Sequence, residues 1–332
     1  MYRLALVLLP DYSHLELAAA VEPLFVANWL AQQAVFAWSL VSVDGAAVRA
    51  SNGMLVPVDG ALAAADDCAS VFVLASFDAP PMARDPRLLR WLKRRARAGV
   101  EIGGLENGTL ALAEAGLLDG QRVAVHWDNV IGFAERHTRT RPVAQLFARG
   151  AQRISCAGGA AVLDLMIEWI AWRGHSELAS EVAQHLLLAP LRRGEREQRA
   201  ARAEPDLDRD PVVAHAVRIM RETFDAPLPC GELASRVGLS LRQLERRFRS
   251  ALGSTLLKHY RQVRIAAAHQ LLQQTELGVL EVAIACGFAS TEYFSRLYRR
   301  QFHCSPSADR RQSTAAPVMR GSRQVGVARA PH

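Results

Sequence analysis

The chain has 332 residues, half of them hydrophobic and 22% charged. Such a composition excludes wholesale disorder, and at about 150 residues per domain the length suits two domains, each with its own core. Forty Lys and Arg against 33 Asp and Glu leave a formal net charge of +7, which points mildly to a polyanionic partner.

The apolar run at residues 2–10 is far short of the ~20 residues that span a bilayer. It also lacks the basic flank and cleavage site of a secretory leader. Five scattered cysteines with no CxxC pair argue against a disulfide scaffold or a Cys-rich zinc site. A cytoplasmic protein without membrane contact is expected. Residues 4–9 read as a buried strand and 15–29 as a helix; 36–43 and 71–74 read as further strands. Helix 87–97, strand 100–102, helix 109–115 and helix 160–172 follow. That alternation predicts an α/β domain with a mostly parallel sheet and helices on both faces, over residues 1–190.

The stretch from Arg192 to Pro211 is almost entirely charged, small or proline, and cannot bury enough apolar area to offset its ordering entropy. It is assigned as a linker, 191–211. Its start is compatible with a continuing helix, and 205–211 reads as open chain. Residues 212–311 show only helical patterns, so an all-α domain is expected there. Residues 312–332 mix Arg, Ser, Gly and Pro without periodicity and read as a disordered tail.

Within the all-α part, residues 232–253 and 281–303 resemble each other. Each holds a short helix opening Glu-apolar-Ala, a glycine at its end (Gly238, Gly287), a polar cap region and a longer Arg-rich helix. This is the helix-turn-helix layout, duplicated. Leu244, Phe248 and Leu252 recur every four residues in one copy, and Phe294, Tyr298 and Phe302 in the other, so these stripes face the core. The outer face is left to Arg242, Gln243, Arg246, Arg247 and Arg249 in the first copy. In the second it carries Thr291, Ser295, Arg296, Arg299 and Arg300. From 241 to 264 seven basic residues stand against one acid. Guanidiniums bridge guanine O6 and N7 or clamp phosphate, so such a face suits a major groove; the bland alternative is a solvated basic surface. Most protein–DNA hydrogen bonds go to the backbone, and the set therefore divides between bases and phosphates.

Residues 211–311 resemble the DNA-binding domain of AraC-family transcription regulators. The likeness is carried by Glu232-Leu-Ala with Gly238-Leu-Ser, Leu244-Glu-Arg-Arg-Phe, Arg264-Ile-Ala, Leu271-Leu, Glu281-Val-Ala-Ile-Ala-Cys-Gly-Phe, Phe294-Ser-Arg and Ser305-Pro306. The resemblance implies two helix-turn-helix units on a long helix, here 256–274, reading successive major grooves ~34 Å apart. Two positions depart from the pattern. Thr255-Leu256 replaces a Ser-Pro, and Asp309 stands where a tyrosine is expected. Both positions pack or cap, so a small stability cost and unchanged function are expected.

In the first half, strand 100–102 runs into Gly103-Gly-Leu-Glu-Asn-Gly-Thr109, a tight strand-to-helix turn of the kind that exposes a nucleophile at a helix start. Together with Ala113-Glu-Ala-Gly-Leu-Leu-Asp-Gly120, Val125-His126-Trp127 and Cys156-Ala-Gly-Gly159, it resembles PfpI-like, class I glutamine-amidotransferase-like domains over residues 2–188. The whole chain then looks like the AraC-family branch that carries such a domain for sensing. Catalytic members of the superfamily hold a cysteine at the elbow; this alignment puts Glu106 there, and a carboxylate cannot do thiolate chemistry. Glu106 has two readings, a favourable acid at a helix start or a ligand contact. Glu16 occupies the superfamily's first-helix acid position, which faces the elbow.

Two carboxylates around one cleft favour a cationic effector, such as an ammonium, guanidinium or quaternary amine. Carnitine-, betaine- and arginine-responsive regulators belong to the branch this chain resembles. The candidate ligand set is Glu16, Glu106, Asn107, His126 and Trp127. Structural readings stand beside it: a hydrogen-bonded His126 and a core Trp127. Cys156 is expected in a tight turn with no chemistry. No motif implies a metal or cofactor. The expected protein is thus a non-enzymatic regulator, an activator of a catabolic operon, whose partners are operator DNA, a small effector, RNA polymerase and a second copy of itself. The alternatives are a PfpI-like hydrolase or deglycase with an appended DNA-binding module, and a front half that only dimerises.

Overall fold

The apolar run at the amino terminus forms strand β1 (Tyr2–Leu8), buried on both faces. Leu4, Leu6 and Leu8 enter one hydrophobic cluster, and Ala5 and Val7 enter another on the opposite side. A strand with two buried faces must be apolar throughout, and central strands of a parallel sheet read that way. In this computed structural model the described residues are 1–76, 80–188, 191–198 and 210–315. They divide into two compact units, the first ending at Gln198.

After β1 come α1 (His14–Ala31), β2 (Phe36–Ser42), a small hairpin of β3 (Val48–Arg49) and β4 (Leu55–Val56), and β5 (Gly60–Ala61). Next are β6 (Ser70–Ala75), α2 (Pro80–Ala83), α3 (Pro86–Arg97), β7 (Glu101–Glu106) and α4 (Gly108–Glu114). The unit closes with β8 (Arg122–Ala124), α5 (Val130–Arg136), β9 (Arg141–Val143), β10 (Phe147–Arg149), β11 (Arg153–Cys156), α6 (Ala161–Trp172) and α7 (Ser176–His185). The seven-stranded sheet has the order β10-β11-β7-β6-β1-β2-β5 and is parallel except for β10 against β11. Helices α1, α6 and α7 cover one face and α3 and α4 the other, around Trp169 and Trp91 respectively. The expected α/β architecture is therefore present. Strand order reverses between β1 and β6, which places a ligand crevice at the carboxyl ends of these strands.

The turn after β7 is shorter than the sequence suggests. The strand runs on through Gly103 and Gly104 to Glu106. These glycines are interior because a side chain on Gly103 would strike the Phe72 ring, and one on Gly104 the backbone of Thr109.

The charged stretch also needs correction, because its first part is neither helix nor linker. Asp164 on α6 is buried and accepts bonds from the Arg192 backbone N–H (2.9 Å) and Nε (3.0 Å). Gln198 is buried and donates to the Val125 carbonyl at 2.8 Å and the Gln145 carbonyl at 2.6 Å. Buried acceptors on the first unit capture this polar segment, which hydrophobic patterning cannot reveal. Residues 199–209 lie outside the described residues, so the remainder of the expected linker is not covered.

The second unit is helical throughout its described part: α8 (Pro211–Glu222), α9 (Cys230–Arg236), α10 (Leu241–Leu252), α11 (Leu256–Gln274), α12 (Val279–Ala285), α13 (Thr291–Phe302) and α14 (Pro306–Ala315). Helix α14 continues to Ala315, beyond the boundary expected for the tail; residues 316–332 lie outside the described set. Val213, Val217 and Met220 of α8 pack with Leu233, Leu244, Phe248 and Leu256 in the core of the first helix-turn-helix. Phe288, Phe294 and Tyr298 form the aromatic spine of the second, with neighbouring ring centroids 5.3 and 5.6 Å apart.

Candidate DNA-binding surface and ligand site

The two helix-turn-helix units are built by local chemistry. Gly238 and Gly287 take φ of +73° and +70° between the paired helices, a conformation that favours glycine. Ser240 opens α10 with a capping box. Its hydroxyl accepts from the Gln243 N–H at 3.3 Å, while Gln243 Oε1 accepts from the Ser240 N–H at 2.9 Å. Ser290 caps α13 by accepting from the Tyr293 N–H at 3.2 Å. Thr255, one of the two departures from the family pattern, caps α11 by accepting from the Lys258 N–H at 3.3 Å. Its hydroxyl therefore serves the helix start.

Leu244 and Phe248 turn inward, so Arg242, Arg246 and Arg249 share the opposite, exposed face of α10. Arg247 is exposed but lies toward the flank, where Nη1 bonds Asp210 Oδ1 at 3.0 Å. Gln243 commits its carbonyl oxygen to the cap, which leaves its amide N–H groups facing out. On α13, Phe294 and Tyr298 are buried, Arg296, Arg299 and Arg300 are exposed, and Thr291 and Ser295 are half-buried near the core side. Arg264, within the basic run, does not belong to this surface. It is half-buried, with Nε donating to the Cys286 carbonyl at 2.8 Å and Cζ 4.0 Å from the Phe288 ring centroid. It thus fastens α11 to the second turn.

Ion pairs occur in both units: Arg84 with Glu114 at 2.9 Å, Arg94 with Asp66 at 2.8 Å, Arg139 with Asp119 at 2.9 Å and Arg173 with Glu101 in the first, and Arg236 with Glu232 at 2.8 Å and Arg247 with Asp210 at 3.0 Å in the second. Among the described residues, Arg242, Arg246, Arg249, Arg296, Arg299 and Arg300 have no carboxylate within ion-pair distance.

In the first unit the elbow residue is Glu106. Its φ of +49° is left-handed, a strained conformation for a residue with a side chain. Glu106 Oε2 accepts from the Ser76 hydroxyl at 2.9 Å, and among the described residues no amide at the start of α4 donates to it. Glu106 stands two residues before the first residue of α4, near the helix start but without a bond to its amides. Glu16, at the start of α1, is fully buried and accepts from the Gly159 N–H at 2.8 Å. A side chain on Gly158, whose φ is +92°, would touch Glu16 Oε1 and Glu106 Cβ at once, so the two carboxyl groups meet against this turn. Oε2 of Glu16 is buried and no donor faces it. Burial, then the Glu106 charge beside it, push Glu16 up to about 10. Glu16 therefore keeps its proton at neutral pH and supplies the missing donor between the carboxyls. The proton on Glu16 relieves the repulsion that two ionised carboxyls would set up in this cleft.

Asn107 joins this site through Nδ2, which donates to the Ser76 carbonyl at 3.0 Å, and through Oδ1, which accepts from Asn129 at 3.0 Å. Asn129 in turn ties in the loop that carries His126 and Trp127, since its N–H donates to the His126 carbonyl at 2.8 Å. His126 Nδ1 accepts from the Asp128 N–H at 3.3 Å. Trp127 remains 36% exposed, so it is not the core residue that one reading of the sequence allows. Cys156 ends β11, is fully buried, and its thiol is pushed strongly up by that burial, which leaves it inert. The motif reading missed Ser76 and Gly159 as site residues. Both follow strands that end at the same sheet edge as β7, and that shared edge is the signal that locates them. Among the described residues no group of three or more His, Cys, Asp or Glu is placed to hold a metal.

A parallel α/β unit with a strained elbow, joined to paired helix-turn-helix units whose outer helices carry unpaired arginine, defines a DNA-binding transcription regulator. Comparison with known proteins places it more closely. Residues 233–312 match the helix-turn-helix domain family. The chain is 41% identical over 303 residues to the HTH-type transcriptional regulator CdhR of Pseudomonas aeruginosa, covering 91% of this chain and 90% of that one. An AraC family transcriptional regulator from Pseudomonas putida superposes with TM-score 0.52 at 28% identity, covering 56% of this chain and 100% of the other. A ThiJ/PfpI family protein from Pseudomonas syringae shares the fold, with TM-score 0.51 at 17% identity over 76% of this chain and 91% of its own. The chain belongs to the AraC family of helix-turn-helix transcription regulators, and its first unit has the ThiJ/PfpI-like fold.

Proposed function

We propose that this regulator activates a catabolic operon in the cytoplasm in response to a small cationic metabolite held at the elbow of the first unit, and that this unit is not catalytic. The observation that carries the DNA side is the exposed guanidinium set on α10 and α13 without carboxylate partners. Such charge is costly to gather unless a polyanion receives it. Arg246 and Arg296 project from the centres of the two exposed faces and are the base-reading candidates. Arg242, Gln243, Arg247, Arg249, Thr291, Ser295, Arg299 and Arg300 complete the surface, with Arg247 on the phosphate side. On the effector side, the proton shared by Glu16 and Glu106 leaves a single negative charge, which suits a ligand with one cationic nitrogen. Asn107, His126 and Trp127 form the rest of the proposed pocket, with the Trp127 ring offering a face to an ammonium. The absent elbow cysteine and the buried Cys156 thiol support a sensing role. A homodimer that presents two reading units to DNA and RNA polymerase completes the reading.

Binding of the full chain to a duplex selected from a random pool, compared with an unselected duplex, tests the assignment. Arg246→Ala and Arg296→Ala should each cost about 1–3 kcal/mol on the selected duplex and less on the unselected one. Equal losses on both duplexes would reassign these residues to phosphate.

A further inference from the structure

The second helix-turn-helix gathers positive charge that its outer helix does not explain. Tyr293, in the first turn of α13, faces two guanidiniums from different helices. Cζ of Arg261 on α11 lies 5.7 Å from its ring centroid, and Cζ of Arg296 lies 5.6 Å away. Beside them the Phe288 ring, 6.5 Å from that of Tyr293, carries Arg264 at 4.0 Å. Three guanidiniums thus surround one aromatic pair, and among the described residues none has a carboxylate within ion-pair distance. The ring faces offset part of this repulsion. Arg264 spends its Nε on the Cys286 carbonyl. Arg261 and Arg296 have no intramolecular hydrogen bond among the described residues, so their planar donor forks remain available.

We propose that Arg261, braced over Tyr293 beside Arg296, receives the phosphate backbone of the duplex, so that the long helix α11 touches DNA itself. The inference rests on the regulator reading above. A guanidinium fork matches phosphate oxygens geometrically. Arg261 lies outside the outer helices of the two units, so it adds charge and register without reading sequence. Tyr293 acts as a positioning residue that holds both forks.

Fluorescence anisotropy of the full chain on an unselected duplex, over a series of salt concentrations, tests the clamp. Arg261→Gln keeps most of the aliphatic stem and should make the slope of log affinity against log salt shallower by about 0.9, the share of one phosphate. Arg261→Lys should restore the slope. Tyr293→Leu keeps both charges and should weaken binding while leaving the slope nearer that of the wild type. Arg94→Ala, on the first unit, should change nothing. The clamp is overturned if Arg261→Gln keeps the wild-type slope and affinity, or if Arg94→Ala loses as much. A wild type indifferent to the duplex at every salt concentration would instead remove the regulator reading.

Discussion

Glu16 and Glu106 show how a carboxyl at a strand-to-helix elbow sets the chemistry of a cleft. A cysteine at the elbow would be a nucleophile; a glutamate there faces a second carboxyl, and the pair lowers its cost by keeping a proton. In the folded chain Glu16 holds that proton to about pH 10. In the unfolded chain it releases it near pH 4.3, as an ordinary glutamate does. Between these values the folded state binds one proton more than the unfolded state, so this group makes stability fall as pH rises through neutrality. Glu16→Gln keeps an acceptor for the Gly159 N–H and places an amide donor toward Glu106 without needing the proton. Melting temperatures measured from pH 5 to pH 9 should therefore decline less steeply in the variant, with the larger gain at the alkaline end. Parallel profiles for the two proteins would show that Glu16 is ionised in the fold.

At the scale of the element, Asp309 turns a departure from the family pattern into a buried polar cluster. It is 8% exposed at the start of α14 and accepts from the Tyr298 hydroxyl of α13, while His269 Nδ1 of α11 lies 2.9 Å from its carboxylate. The His269 ring stacks on Phe302 at 4.2 Å. Three helices thus meet on one carboxylate, more than a tolerated replacement of a tyrosine. Asp309→Ala removes the acceptor that Tyr298 and His269 share and leaves those two groups only each other, 2.8 Å apart, which should cost about 1–3 kcal/mol in chemical denaturation; a loss under half of that would mean the cluster opens to water. Legibility in the sequence follows the same physics. Strands buried on both faces, as in β1, and core stripes spaced four apart, as in α10 and α13, declare themselves because apolar burial has a period. The short β8–β11 segments and the Arg192–Gln198 segment do not, since polar partners distant in the chain hold them. Glu106 was legible from the glycines around it, whereas Ser76 and Tyr293 owe their places to neighbours on other elements.

At the scale of the whole molecule, control requires that the effector and the duplex favour the same state of the chain. Linkage then makes their effects mutual. If a bound effector changes DNA affinity by some factor, bound DNA changes effector affinity by that same factor, commonly about 5–150-fold. A thermal-shift screen of ammonium, guanidinium and quaternary-amine metabolites identifies the effector, since saturation at about 100 times Kd adds ~2.7 kcal/mol of stability. Calorimetric titration of that compound, with and without a duplex selected from a random pool, then measures the factor in one direction, and anisotropy measures it in the other. Glu106→Gln removes the charge of the elbow pair while leaving α10 and α13 untouched. It should abolish the calorimetric signal and preserve DNA binding in the absence of effector. An effector that binds equally tightly with and without duplex would uncouple the two units and refute ligand control. A screen in which anionic compounds alone bind, with Glu106→Gln unaffected, would refute the cationic site while leaving the DNA-binding surface intact.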